Sequence, residues 1–170
     1  EVCITCIHSM RTRDFKGRAV ASKSIELLTI DNRTEETLQR MTPSISALTG
    51  IRIVDFTHVY QGPVGTQILA DYGADVIKVE RLGAGDWSRR WGPFVEGVSL
   101  PFAGLNRNKR SVAIDVKHPL GRKAVYDLAK TADVVVHNFR AGVMEKLGFG
   151  YEDFARINRR IVFAWSGGWG

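Results

Sequence analysis

The chain has 170 residues, 44% apolar and 25% charged, a composition typical of a globular domain with a hydrophobic core. Its net charge of +6 suits a nucleic acid and equally a small polyanionic ligand, so charge alone excludes neither. No apolar run approaches the roughly 20 residues that span a bilayer, and the first residues carry no secretory pattern. We therefore predict a cytoplasmic protein without a membrane partner.

Residues 1–40 show no sustained helical or strand period, and we predict that they are an extension outside the core. Their one motif, Cys3-x-x-Cys6, has no second cysteine pair, so it predicts neither a zinc site nor a disulfide framework. The character of the sequence changes at Met41, which favours Met41 as the natural start. Residues 41–170 are then the core, and a genuine N-terminal arm over residues 1–40 remains the alternative.

From residue 50 onward, strand patterns alternate with helix patterns. Apolar and β-branched runs predict five strands, at residues 51–56, 75–80, 110–116, 132–136 and 160–164. A first helix begins at Pro63 and ends at Gly73, and helical spacing recurs at residues 119–130, 141–147 and 151–157. This alternation predicts a doubly wound α/β fold, a mostly parallel, Rossmann-like sheet with helices on both faces.

In such a fold the ligand lies beyond the carboxyl ends of the strands, here at the loops that begin at His58, Arg81, Lys117 and Asn138. Glu80 ends the second strand where a dinucleotide-binding domain has its ribose-binding acid. The preceding glycine turn reads Gly-Pro-Val-Gly, however, without G-x-G, and Pro63 lacks an N–H for a pyrophosphate. The sequence therefore disfavours a nicotinamide enzyme.

The strand ends carry a series of motifs: FTHVYQGP at 56–63, YGADVIKVER at 72–81, GAGD at 83–86, NRNKRSV at 106–112, DVVVHNFRAGV at 133–143 and LGFGY at 147–151. In this order and spacing they resemble the family III coenzyme A transferases, the CaiB/BaiF-type group of formyl-CoA and carnitine CoA-transferases. The resemblance covers residues 47–170 and implies the N-terminal, incomplete part of that family's large domain. The basic cluster around Arg107 belongs to one of these motifs, so we predict no nucleic acid partner.

The resemblance implies an enzyme that moves CoA from an acyl-CoA thioester to a free carboxylic acid through an aspartyl intermediate. It further implies a homodimer, with CoA as a substrate and with neither a separate cofactor nor a metal. The family's aspartate lies beyond residue 170, so we expect this fragment to lack the nucleophile and to be inactive by itself. A non-catalytic CoA-binding or partner-binding module remains the alternative.

Ten positions match CoA-binding positions of the family, and the resemblance makes each a candidate contact. They are His58, Tyr60, Gln61, Arg81, Ile114, Lys117, Asn138, Phe139, Arg140 and Lys146. Cationic side chains at strand ends suit phosphate groups, whereas a lone Arg or Lys on a loop is usually only solvated. Tyr60 stands where the formyl-CoA enzymes have glutamine, which leaves specificity for oxalate or formate open. Lys146 replaces a family arginine and keeps its charge but not its forked geometry.

Overall fold

The computed structural model describes residues 46–168, so the predicted extension at residues 1–40 lies outside the described residues. The strands are β1 (Arg52–Asp55), β2 (Asp75–Arg81), β3 (Phe94–Val95), β4 (Val98–Ser99), β5 (Arg110–Ile114), β6 (Val134–His137) and β7 (Val162–Trp165). The α-helices are α1 (Gln61–Asp71), α2 (Leu100–Asn106), α3 (Pro119–Ala129), α4 (Val143–Lys146) and α5 (Tyr151–Ala155), and a 3-10 helix spans Trp87–Arg90. Among residues 46–168, no helix has the length and apolarity to cross a membrane.

Five of the strands form one parallel sheet in the order β5-β2-β1-β6-β7. The chain builds outward from β1 in one direction and then returns to add β6 and β7 on the other side. This order confirms the predicted doubly wound α/β fold, in which the reversal beside β1 opens a crevice at the carboxyl ends of the strands. The strands β3 and β4 form a separate antiparallel hairpin.

Each face of the parallel sheet has its own hydrophobic core, because side chains alternate between the faces along a strand. On one face, Val54 and Val79 pack with Val125 of α3 and with Phe149 and Phe154. The other face buries a smaller cluster, in which the strand residues Ile53, Val76 and Val136 pack with Ala70 of α1 and with Ala74. The predicted coverage of both faces is therefore confirmed.

The segment between β2 and β5 differs from the sequence prediction, which placed no elements there. It contains the 3-10 helix, the hairpin and α2. Two side-chain caps shape it: Asp86 accepts a hydrogen bond from Ser88 N–H, and Ser99 accepts one from Phe102 N–H. No sustained apolar period marks this segment, whose structure depends on these local caps, and the sequence analysis therefore missed it.

Candidate functional site

A cavity of about 840 Å³ opens at the carboxyl edge of the parallel sheet. Loops and strand ends after β1, β2, β5 and β6, together with residues that follow α4, line it. The volume falls within the range of small-molecule sites, and the position is the one expected for a ligand in a doubly wound fold.

Five of the ten candidate contacts line this cavity: His58, Arg81, Ile114, Lys117 and Phe139. They come from four different strand ends, so the topology brings together residues up to 81 positions apart in sequence (58 to 139). Arg81 and Lys117 are exposed and contribute cationic groups, whereas Ile114 is buried and contributes an apolar wall. A ligand with anionic groups and an apolar or extended arm matches this lining.

The other five candidates, Tyr60, Gln61, Asn138, Arg140 and Lys146, lie nearby but do not line the cavity. Tyr60 and Gln61 are exposed where α1 begins, and Arg140 and Lys146 are exposed around α4. Asn138 has a structural contact, because its side chain accepts a hydrogen bond from His58 N–H and donates one to the His58 carbonyl, both at 2.8 Å. Ligand contact by these residues stays a prediction.

His58 stands at the junction of the cavity and the sheet. Its ring lies 5.4 Å from the ring of Phe139, centroid to centroid, and its Nδ1 is 3.7 Å from Asp86 Oδ2. Burial, followed by the charge of Lys78, lowers the pKa of His58 below its ordinary value of 6.5. The imidazole is therefore neutral at neutral pH, and the cations Arg81 and Lys117 remain to meet a negative charge.

Beneath the loops after β1 and β2 lies a layer of buried charged side chains that sequence reasoning missed. Lys78 Nζ is 2.8 Å from Asp86 Oδ2, and the two side chains are 1% and 0% exposed. Burial acts to raise the pKa of Asp86, but the Lys78 ammonium and the hydrogen bonds from Lys78 and Ser88 outweigh it and lower the pKa to about 2. Glu80 lies beside them and accepts hydrogen bonds from Arg89 and Ser111.

A second buried pair joins β1 to the neighbouring helices. Lys109 Nζ lies 3.2 Å from Asp55 Oδ2 and donates to the Pro63 carbonyl and to Asn106 Oδ1, both at 2.9 Å. Burial lowers the pKa of Lys109 to about 8, although the charge of Asp55 opposes this shift. The lysine thus links the end of β1, the start of α1 and the end of α2.

Seven of the eight aspartates among residues 46–168 are held by structural contacts. Asp55 and Asp86 are the buried acids described above, Asp75 pairs with Arg52 and Arg110, and Asp133 accepts the Arg52 N–H. Asp71 pairs with Arg107, Asp127 with Lys123 and Lys130, and Asp153 with Arg156. Asp115 differs, because it lines the cavity and is exposed, while its Oδ1 accepts the Lys117 N–H at 2.9 Å. Over residues 46–168, no group of three or more His, Cys, Asp or Glu side chains is arranged to hold a metal ion.

The sequence profile of CoA-transferase family III matches residues 48–170. The formyl-CoA:oxalate CoA-transferase of Bradyrhizobium diazoefficiens is 49% identical over 125 residues, which cover 73% of this chain and 29% of that relative. The succinyl-CoA:glutarate CoA-transferase of Mus musculus is 46% identical over 128 residues, covering 75% and 29% respectively. This chain therefore spans less than a third of the length of these relatives.

The fold also matches solved structures. The structure of a CAIB/BAIF family protein from Brucella suis superposes with a TM-score of 0.66 at 39% sequence identity, covering 71% of this chain and 33% of that protein. Its similarity therefore extends over most of the described residues.

Proposed function

The chain belongs to CoA-transferase family III, and from that membership we propose that it supplies the CoA-binding half of an active site that moves CoA from an acyl-CoA thioester to a free carboxylic acid. The single observation that supports this most is the cavity at the carboxyl edge of the sheet. It joins two exposed cations to an apolar wall, and CoA joins phosphates to an extended, weakly polar arm.

In the proposed arrangement, Arg81 and Lys117 bind the CoA phosphates through charge-assisted hydrogen bonds. His58, neutral at neutral pH, and Phe139 border the path of the pantetheine arm. The apolar wall that includes Ile114 excludes water from that arm. These contacts orient the thioester and leave its carbonyl carbon to a nucleophile.

The chemical step that we propose is covalent catalysis by an aspartate that lies outside residues 1–170. The carboxylate attacks the thioester carbonyl, the C–S bond breaks, and an acyl–aspartyl anhydride forms with release of the CoA thiolate. The thiolate then attacks the aspartyl carbonyl, which frees the first acid and leaves an aspartyl-CoA thioester. The acceptor acid finally takes the CoA by the same pair of steps in reverse order.

The relatives act on different acids according to their names, oxalate in one and glutarate in another. The acceptor of this protein is therefore best found with a panel. We expect the protein expressed from its complete reading frame, given succinyl-CoA and a set of mono- and dicarboxylic acids, to form a new acyl-CoA detectable by mass spectrometry. CoA binding without exchange would favour the non-catalytic module, and the absence of both would contradict the proposal.

Hydroxylamine trapping locates the nucleophile, because it converts an aspartyl thioester or anhydride into a hydroxamate. We expect no trapped residue within residues 1–170, since the nucleophile is proposed to lie outside them and seven of the eight aspartates among residues 46–168 are engaged in the contacts described above. Asp115 is the aspartate that a thioester could reach among the described residues, because it is exposed in the cavity. A hydroxamate at Asp115 would place the nucleophile inside this chain and overturn that part of the proposal.

A further inference from the structure

The turn after β1 has a backbone conformation that needs support. Val59 has a φ of 76°, in the left-handed region that β-branched residues rarely adopt. Both His58 and Val59 line the cavity. Strain of this kind persists only where the surroundings hold the residue in place.

The carboxylate of Asp86 provides one part of that support from 27 residues away in the sequence. Its Oδ1 accepts the Val59 N–H at 3.2 Å, and also accepts the N–H and the hydroxyl of Ser88 at 2.9 Å and 2.8 Å. Asp86 is 0% exposed, so water does not substitute for it. The residue thus connects the strained turn to the 3-10 helix beyond β2.

Lys78 completes the support on the other side of His58. Its ammonium, 2.8 Å from Asp86 Oδ2, also donates to the Thr57 carbonyl at 2.6 Å. The pair therefore holds the carbonyl that precedes His58 and the N–H that follows it. Asn138 holds the N–H and carbonyl of His58 itself.

A buried ion pair is weak as a source of stability, because removing two charges from water costs about as much as their attraction returns. In other proteins, replacing such a pair by hydrophobic residues of similar volume is often neutral for stability. The contacts of Asp86 instead go to the backbone of the cavity wall. This distribution favours a role in the geometry of the site over a role in stability alone.

We propose that Asp86 is a positioning residue of the CoA site: its buried carboxylate, held by Lys78, fixes the His58–Val59 turn in the shape that the ligand meets. The inference rests on the proposed function for its ligand, and on the contacts above for its mechanism. Asp86 acts through the turn and does not touch the ligand.

Two double variants test this, and both remove the buried charges together so that neither leaves an unpaired ion. Lys78→Met/Asp86→Asn keeps an oxygen that accepts the Val59 N–H, whereas Lys78→Met/Asp86→Leu does not. Since both variants lack Lys78, they differ in the Val59 contact, and we expect the second to bind CoA at least about tenfold more weakly than the first in calorimetry. Equal affinities in two folded variants would overturn the proposal.

Amide hydrogen exchange at Val59, measured in the unaltered protein without CoA, gives a second readout that depends on neither the folding of a variant nor the proposed function. We expect the Val59 amide to be protected although the residue is 38% exposed, because its N–H is bonded to a buried carboxylate. The asparagine variant should keep this protection and the leucine variant should lose it. Exchange at the free-peptide rate in the unaltered protein would refute the positioning role, whereas a protected amide with no CoA binding would refute the proposed function alone.

Discussion

At the residue scale, some basic side chains among residues 46–168 are engaged in contacts within the fold, whereas others face the cavity. Arg89 makes two hydrogen bonds to Glu80, and its guanidinium lies 3.7 Å from the centroid of the Phe102 ring. Arg81 and Lys117, by contrast, form no ion pair with another residue of the range 46–168. Their charge is available to a ligand that enters the cavity.

Arg81→Ala should therefore weaken CoA binding. A charge-assisted hydrogen bond contributes about 1.5–3 kcal/mol, so we expect the dissociation constant to rise roughly tenfold or more in calorimetry. Arg156→Ala is the matched control, because Arg156 is exposed and pairs with Asp153 outside the cavity lining. An unchanged affinity for Arg81→Ala, with the fold intact, would remove Arg81 from the site.

The lowered pKa of His58 predicts a pH dependence of stability. Below about 6.5 the unfolded chain binds a proton at this position while the folded protein resists it, so the free energy of unfolding falls as the pH falls. We expect His58→Gln to flatten the decline between pH 6.5 and 5 in urea titrations, by at most about 1.4 kcal/mol per pH unit. Between pH 7 and 8 the two proteins should show parallel slopes. If the free energy of unfolding of the variant declined below pH 6.5 as steeply as that of the unaltered protein, His58 would not be responsible for the decline.

Half of the ten candidate contacts that the sequence identified line the cavity, because family motifs mark strand ends and parallel strands end at one edge. The sequence did not identify the buried pairs, since a lysine such as Lys78 in an otherwise apolar strand has no pattern that names its partner. Asp86 and Lys109 come close to β1 only through tertiary contacts. The signal that was present, and unused, is the alternation of Lys78 and Glu80 with apolar residues in β2.

At the element scale, the contact between α1 and the turn before it depends on the absence of a side chain at Gly62. A Cβ there would lie 2.5 Å from both Cβ and Cγ2 of Thr57, a buried residue whose hydroxyl donates to Asp55. Gly65, one turn later in the same helix, has open space around it. Close packing against Thr57 therefore requires a glycine at position 62, whereas packing places no such requirement on position 65.

Substitution of each glycine by alanine separates the two cases. Gly62→Ala should lower the free energy of unfolding by about 1–3 kcal/mol through overpacking. Gly65→Ala should raise it by about 0.5–1 kcal/mol, because alanine is the better helix former. Thermal and urea unfolding measure both. Equal effects of the two substitutions would contradict the close approach of α1 to Thr57.

The Lys109–Asp55 pair also acts between elements, and removing one partner leaves the other charge buried. Lys109→Met should lower the free energy of unfolding by about 3–5 kcal/mol. The double variant Asp55→Asn/Lys109→Met should lose clearly less, since it leaves no uncompensated charge. Additive losses in urea titrations would show that the two side chains do not interact.

Sequence patterns located the five strands and the helices α1, α3, α4 and α5 to within about two residues. The success has a physical reason, because buried parallel strands and amphipathic helices carry long apolar patterns. Between β2 and β5, local capping by Asp86 and Ser99 determines the structure instead, and capping contacts leave only a weak trace in sequence.

At the scale of the whole molecule, the described part of the chain exposes several large apolar side chains close to one another in sequence. Around the hairpin, Trp87 is 69% exposed, and Phe94 and Val98 are 51% and 42% exposed. Exposed apolar clusters favour association with another surface. This agrees with the homodimer implied by the family, which stays a prediction.

We expect the protein to self-associate in sedimentation velocity experiments at micromolar concentration, and Phe94→Ser/Val98→Ser to shift it toward the monomer. Leu120→Ser is the matched control, because Leu120 is 70% exposed on α3, away from the hairpin in sequence. A concentration-independent monomer, or an identical shift in the control, would contradict a role of the hairpin in association.

Binding of CoA at the carboxyl edge of the parallel sheet is tested most directly by amide hydrogen exchange with and without CoA. Exchange should slow in the loops at residues 57–61, 81–87, 115–118 and 138–140, where the cavity is lined or bordered. It should stay unchanged at the opposite edge, around residues 131–133 and 158–161. Saturating CoA that leaves all four loops unaffected, or protects only the opposite edge, would contradict the account.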